Sequence, residues 1–145
     1  MQTIQIVDIA HAIQLAVAPV FLLSGVGVLL GVLTNRLARI VDRARTAETR
    51  LAGADAEAEG ARLRDQLSAL ARRARLINAS ITLITIAALF VSLVVALLFT
   101  STLVAINLAV YIAVLFVAAM ITLIVALLAF LLEVRIAVAS LRIGT

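Results

Sequence analysis

Three long runs of apolar residues constrain the fold of this chain more than any other feature of its sequence. They cover residues 15–33, 77–99 and 103–132, and none contains an Asp, Glu, Lys or Arg. Each run reaches the ~18–20 residues that an α-helix needs to cross the hydrocarbon core of a bilayer. Hydrophobic residues make up 65% of the chain, whereas soluble domains contain roughly 45–50%, so a monomeric soluble protein is excluded. We therefore predict an all-α membrane protein with three transmembrane helices at about 13–34, 77–99 and 103–132.

The arginines give the predicted protein an orientation in the membrane. All twelve basic residues are arginine; ten lie between residues 35 and 76, and the other two, Arg135 and Arg142, follow the third run. The N-terminal segment and the predicted turn at 100–102 contain none. Because positively charged residues stay on the cytoplasmic side, we expect the N-terminus outside and the C-terminus in the cytoplasm. No basic residue precedes Arg36, so a cleaved signal peptide is not expected.

The arginine-rich segment carries two heptad repeats separated by a glycine-containing stretch. Apolar residues recur at alternating spacings of four and three, as in a coiled coil, at Leu33, Leu37, Ile40, Ala44, Ala47 and Leu51, and again at Leu63, Leu67, Leu70, Ala74, Ile77 and Ile81. One antiparallel register places Leu51 opposite Leu63 and Leu33 opposite Ile81, so both repeats are satisfied together. We expect a single domain, 1–145, in which the first two spans are extended into a cytosolic antiparallel helical hairpin over about 35–76, with its turn at 53–60.

Polar residues form a narrow stripe on each of the last two spans. The candidates for this surface are Asn78, Thr82, Thr85 and Ser92 on the second span and Asn107, Tyr111 and Thr122 on the third. At ~100° per residue each set lies on one helix face, and small or hydroxyl residues let membrane helices approach closely. We expect the two stripes to pack against each other across a turn near Ser101. A pore lining is the alternative.

The first span has a face of small residues. Ser24, Gly27 and Gly31 share that face, and Gly27 and Gly31 form a small-xxx-small pattern of the kind that lets two helix backbones come together. The sequence leaves two occupants open for this face. One is the third span and the other is a second protomer.

Seven polar residues around the inner membrane boundary are candidates for contact with a partner or with anionic lipid headgroups, the alternative being a solvated hairpin surface. They are Asn35, Arg36, Arg39, Arg43, Arg72, Arg73 and Arg75. Glu133 lies at the inner end of the third span, and we expect it to pair with Arg36 or Arg39 rather than to take part in chemistry.

The chain offers no set of side chains suited to catalysis, metal or cofactor binding. It has no cysteine, and the apolar runs lack the ionisable groups on which proton relays depend. Asp8 and His11 lie three residues apart at the outer end of the first span, but two ligands are too few for a metal site, and a helix N-cap explains Asp8 better. Aromatic residues are 4% of the chain, with no Trp, so nucleic acid is not an expected partner.

The stretches "AIQLAVAPVFLLSGVGVLLGVLTNRLARIVDRAR" and "LARRARLINASITLIT" resemble an uncharacterised family of small bacterial membrane proteins, a domain of unknown function. The resemblance covers roughly residues 8–135 and is most specific at 35–43. It implies a bacterial inner-membrane protein of about three spans and supplies no activity. We expect a non-enzymatic homo-oligomeric scaffold or an accessory subunit of a larger membrane complex; the alternative is an oligomeric channel lined by the second span.

Overall fold

The described part of the chain forms three long α-helices. The computed structural model describes residues 2–142, with side chains for residues 5–139, and contains α1 (Gln2–Ala52), α2 (Glu57–Val104) and α3 (Ala109–Arg142). All three are long and apolar enough to cross a membrane. These helices confirm the predicted all-α fold with three candidate membrane spans. The side chain of Arg142, one of the arginines used to predict the orientation, lies outside the described set.

The chain divides into two compact units, each of which draws on all three helices. The first unit combines Met1–Leu30 with Leu83–Val125, and the second combines Gly31–Thr82 with Ala126–Thr145. The α2–α3 connection belongs to the first unit, and the α1–α2 connection belongs to the second. The predicted hairpin therefore lies within the second unit.

The burial pattern of the second unit supports the predicted antiparallel hairpin. Every second residue of each heptad repeat is buried, namely Leu33, Ile40 and Ala47 on α1 and Leu63, Leu70 and Ile77 on α2. The intervening members of both repeats are half-buried. At the tip, a Cβ atom built on Gly60 would lie 3.8 Å from Cδ1 of Leu51, which is ordinary van der Waals contact. The two repeats thus form the apolar core of this hairpin.

The connection between α1 and α2 is shorter than the predicted turn at 53–60. The amide of Gly53 donates to the carbonyl of Arg50 (3.2 Å), which closes the end of α1. α2 begins at Glu57, and Gly60 is a buried residue of its first turn. Glu57 and Glu59 explain the early start, since carboxylates at a helix N-terminus interact favourably with the helix dipole.

The predicted turn at 100–102 is helical. The Thr100 hydroxyl donates to the Ala96 carbonyl at 2.9 Å, and the Thr102 hydroxyl donates to the Leu98 carbonyl at 3.0 Å. Hydroxyls that bond to the carbonyl four residues earlier are satisfied inside a helix. Consecutive hydroxyl residues at this place therefore do not end α2, and the prediction of a turn here is wrong.

The chain reverses instead between α2 and α3 at residues 105–108. Ala105 follows the last residue of α2 and has a positive φ of 54°, the left-handed conformation that commonly ends a helix. The Oδ1 atom of Asn107 accepts a hydrogen bond from the amide of Ala109 at 3.1 Å, as an N-cap residue does. Asn107 thus starts α3 instead of joining a polar stripe.

The predicted packing of the polar stripe of α2 against α3 is wrong. Asn78, Thr82, Thr85 and Ser92 are all exposed, and the Thr82 and Ser92 hydroxyls donate to carbonyls of their own helix. Along the stripe-bearing part of α2, the buried residues are Ile77 and Ser80 in the second unit and Ile84, Ala87, Val91 and Val94 in the first. That buried face lies about 150° around the helix from the stripe at ~100° per residue.

The matching stripe on α3 is not buried as a set either. Tyr111 is 70% exposed, and Thr122 is half-buried with its hydroxyl bonded to the Ala118 carbonyl at 2.8 Å. The later position of the turn explains this failure. Moving a turn by about five residues changes every opposing pair of an antiparallel helix pair, so the predicted partners do not face each other.

The glycine face of α1 has no neighbour among the described residues. Ser24, Gly27 and Gly31 are exposed, and a Cβ atom on Gly27 or Gly31 would meet nothing within 4 Å. The Ser24 hydroxyl lies 3.5 Å from the Val20 carbonyl of the same helix. Among the described residues, the third span therefore does not pack on this face at Gly27 or Gly31. Contact with a second protomer stays a prediction.

Candidate functional site

A buried carboxylate joins the three helices of the second unit. Glu133 on α3 is fully buried, with a side-chain exposure of 0%. Its Oε2 atom accepts from Nη2 of Arg36 on α1 at 2.9 Å. Its Oε1 atom accepts from Nε of Arg73 on α2 at 3.0 Å and lies 2.9 Å from Nη2 of the same residue. We call these three residues the Glu133 cluster.

Arg36 has a second partner on α3. Its guanidinium carbon lies 5.3 Å from the centroid of the Phe130 ring, within the distance of a cation–π contact. Phe130 and Glu133 are three residues apart and therefore share one face of α3. The ring and the carboxylate together fix the guanidinium of Arg36 from two sides.

The position of each arginine follows from the heptad repeats. Arg36 lies between Leu33 and Ile40 on α1, and Arg73 lies between Leu70 and Ile77 on α2. A residue three or four positions from buried residues points toward the same side of a helix. Both arginines are consequently drawn inward, and their side chains are only 33% and 15% exposed.

The Glu133 cluster fixes geometry more than it adds stability. Removing an ion pair from water costs several kcal/mol per ion, and the attraction between the partners only offsets that cost when hydrogen bonding is complete. Here both oxygens of Glu133 are bonded, and no buried side-chain polar atom among the described residues lacks a partner. Loss of one member would leave the others uncompensated, so the cluster favours one arrangement of these three helix segments.

Four arginines line a cleft beside the Glu133 cluster. Its lining consists of Arg36, Arg39, Ile40, Arg43 and Arg73, and its volume is about 200 Å³. We call it the arginine cleft. Arg39 and Arg43 are exposed. All four arginines are among the residues predicted to contact anionic lipid or a partner, and the structure brings them together.

The other three predicted contact residues lie elsewhere. Asn35, Arg72 and Arg75 are exposed and do not line the arginine cleft. The predicted pairing of Glu133 with Arg36 is confirmed, whereas Arg39 does not take part. Sequence reasoning missed Arg73 as a partner of Glu133. The position of Arg73 between Leu70 and Ile77, two buried residues of the heptad repeat, is the signal that could have revealed this pairing.

The first unit contains an apolar cleft of about 640 Å³. Apolar side chains of all three helices line it, and its polar lining consists of His11, Ser101, Thr102 and Asn107. Asp8 is exposed and is not part of this lining. Among the described residues, no group of three or more His, Cys, Asp or Glu side chains could hold a metal ion.

Comparison with family models gives a match over residues 16–143. The match covers most of the chain and contains both the Glu133 cluster and the arginine cleft. The chain belongs to the DUF2721 family. That family is described as a protein of unknown function, so membership in DUF2721 carries no activity over to this chain. No curated protein and no solved structure matches it.

Proposed function

We propose that this DUF2721 protein is a non-enzymatic scaffold of the bacterial inner membrane that acts as a homo-oligomer, alone or as an accessory subunit of a larger complex. The open glycine face of α1 is the observation that carries the proposal. Gly27 and Gly31 leave backbone accessible, with nothing among the described residues within 4 Å of a Cβ at either position. Small residues of this kind let two membrane helices approach closely.

The surroundings of the glycines support a helix–helix contact. Val17, Val20 and Val28 lie on the same side of α1 and are exposed. The valine side chains flank the glycines and leave a groove that a second helix can fill. Close packing of this kind drives helix association in membranes, because lipid is as apolar as the side chains and gives no hydrophobic driving force. The face therefore suits a second copy of α1.

The proposed orientation places the N-terminus outside and the hairpin of the second unit in the cytoplasm, following the arginine distribution. In this arrangement the hairpin is the part of the scaffold that reaches soluble partners. Its exposed residues carry both signs of charge, with Arg45 and Glu48 on one helix as an example. A surface of mixed charge is compatible with binding a protein partner as well as with exposure to solvent.

Leucine substitutions test the scaffold. Gly27→Leu should fill the groove and reduce the mass of the complex, measured by native mass spectrometry in mild detergent, while the helical circular dichroism stays unchanged. Gly25→Leu is the matched control, because Gly25 also has nothing within 4 Å but lies about 160° around the helix from Gly27. A wild-type monomer, or equal effects of both variants, would contradict self-association through this face.

The exposed stripe of α2 favours a second candidate, an oligomeric channel. Thr82, Thr85 and Ser92 face outward, and several copies could place these hydroxyls around a common axis. The test is conductance of the purified protein in planar bilayers. The scaffold predicts none. Selective single-channel currents that Thr85→Val abolishes would favour the channel, because an apolar lining dewets easily.

A further inference from the structure

The arginine cleft holds more positive charge than the protein itself balances. Four guanidinium groups line a space of about 200 Å³, and Glu133 is the one carboxylate that pairs with any of them among the described side chains. Both of its oxygens are already bonded to Arg36 and Arg73. Like charges held close together repel unless a counter-ion lies between them, so the cleft is suited to an added anion.

Arg39 and Arg43 are the two cleft arginines without a carboxylate partner in the described part of the chain. They lie three and seven residues after Arg36 on α1, so the three side chains share one face within about 60° of helix rotation. Asp42 is the nearest acid in sequence. It lines a different cleft together with Arg43, Arg50 and Gln66, but it does not line the arginine cleft. Asp42 also makes no ion pair with a described residue.

We propose that the arginine cleft binds the phosphate group of an anionic phospholipid. Guanidinium groups bind phosphate through paired, parallel hydrogen bonds, and each carries five donors. The Glu133 cluster uses one nitrogen of Arg36 and two of Arg73, which leaves further donors on both. Arg36 and Arg73 are thereby held in place, and Arg39 and Arg43 complete the binding surface from the side open to solvent.

The place of the cleft in the chain favours a lipid as the source of the phosphate. Arg36 comes three residues after the end of the first apolar run, and Glu133 directly follows the third, so the cleft lies at the membrane boundary, where headgroup phosphates are found. Arginines near an anionic membrane surface contribute to lipid binding. One water needs about 10–15 Å³ of such space, so about 200 Å³ leaves room for a phosphate.

Thermal unfolding of the full chain in detergent tests the proposal. Phosphatidylglycerol, added in increasing mole fraction, should raise the unfolding temperature in a saturable way, since a ligand that binds the folded state stabilises it. Phosphatidylcholine, which has no net charge, should not. Arg39→Gln/Arg43→Gln should lower the apparent affinity for phosphatidylglycerol by at least about tenfold. Arg39→Lys/Arg43→Lys should recover part of it, because charge is kept while paired hydrogen bonding is lost.

Arg72→Gln/Arg75→Gln is the matched control, since it removes the same charge from exposed residues outside the cleft. It should keep wild-type affinity. Equal losses from the two glutamine variants would overturn the site, because they would show a diffuse attraction to the whole arginine-rich surface. A saturable rise with inorganic phosphate that phosphatidylglycerol does not produce would overturn the lipid source. Absence of any anion effect would overturn the proposal as a whole.

Discussion

Arg73 and Glu133 are joined side-on, with the Nε and Nη2 atoms of the arginine both directed at one carboxylate oxygen, at 3.0 and 2.9 Å. This arrangement leaves the other oxygen to Arg36. The buried carboxylate of Glu133 thereby joins α3 to both α1 and α2. The ion pairs fix the rotation of α3 in the second unit as well as its distance, because a carboxylate turned away by a fraction of a helix turn would reach neither guanidinium.

Replacing the carboxylate should destabilise the protein strongly. Glu133→Gln leaves two arginines without their counter-charge, and loss of one partner of a buried ion pair costs about 3–5 kcal/mol. We expect the lower part of that range, because the Arg36 side chain is 33% exposed. The free energy of unfolding in detergent measures the effect. Glu48→Gln is the control on an exposed residue and should change little. A loss of less than about 1 kcal/mol would show that solvent reaches the cluster freely.

Alanine substitutions in the apolar core of the hairpin should destabilise the protein more when the replaced leucine is more deeply buried. Leu70 is 6% exposed and Leu67 is half-buried, so Leu70→Ala should cost about 2–5 kcal/mol and Leu67→Ala less. The same chemical unfolding experiment compares them. In the antiparallel register predicted from the heptad repeats, cysteines placed at Ala44 and Leu70 should form a cross-link within one chain. Efficient cross-linking of Ala44 to Arg73 in its place would contradict the register.

The turn between α2 and α3 offers a stabilising substitution. Ala105 has a φ of 54°, and the left-handed conformation costs an L-residue roughly 1–2 kcal/mol, whereas glycine adopts it freely. Ala105→Gly should therefore raise the unfolding temperature. The same change at Ala96, an exposed residue inside α2, should lower stability by about 1 kcal/mol. Two effects of the same sign would show that the strain at Ala105 is absent in solution.

Cysteine labelling should reveal the orientation. The chain has no native cysteine, so a single introduced thiol reports its own position. A cysteine at Ile106, in the α2–α3 turn, should react with a membrane-impermeant reagent in intact cells, and a cysteine at Ala56, in the α1–α2 connection, should react only after the cells are opened. The reverse pattern would place the arginine-rich hairpin outside and would contradict the arrangement expected from arginine placement.

The helices and the apolar core of the hairpin could be predicted because the sequence patterns that indicate them repeat along the chain. Three apolar runs and two heptad repeats each extend over many positions, so a single unusual residue, such as Pro19 inside the first run, does not hide them. The α2–α3 turn depends on few residues, and the predicted turn at 100–102 lies about five residues before the actual one at 105–108. Thr100 and Thr102 resemble turn residues in composition, yet their hydroxyls bond within the helix.

The candidate site could be predicted only in part. The charge of Glu133 at the end of an apolar run was enough to predict an arginine partner, since an unpaired carboxylate there is costly. The choice among Arg36, Arg39 and Arg73 depends on helix rotation and on long side chains with many rotamers. Neither is visible in residue spacing alone. The grouping of four arginines in one cleft follows from that same rotation.

The order of the chain gives the Glu133 cluster a consequence for biosynthesis. Arg36 and Arg73 precede Glu133 by 97 and 60 residues, so both arginines leave the ribosome well before their shared carboxylate. Until the third helix has been made, these two cations lack the counter-charge that later holds them. Completion of α3 is thus the event that closes the cluster, and a chain truncated before residue 133 would carry an unbalanced pair of arginines into the membrane.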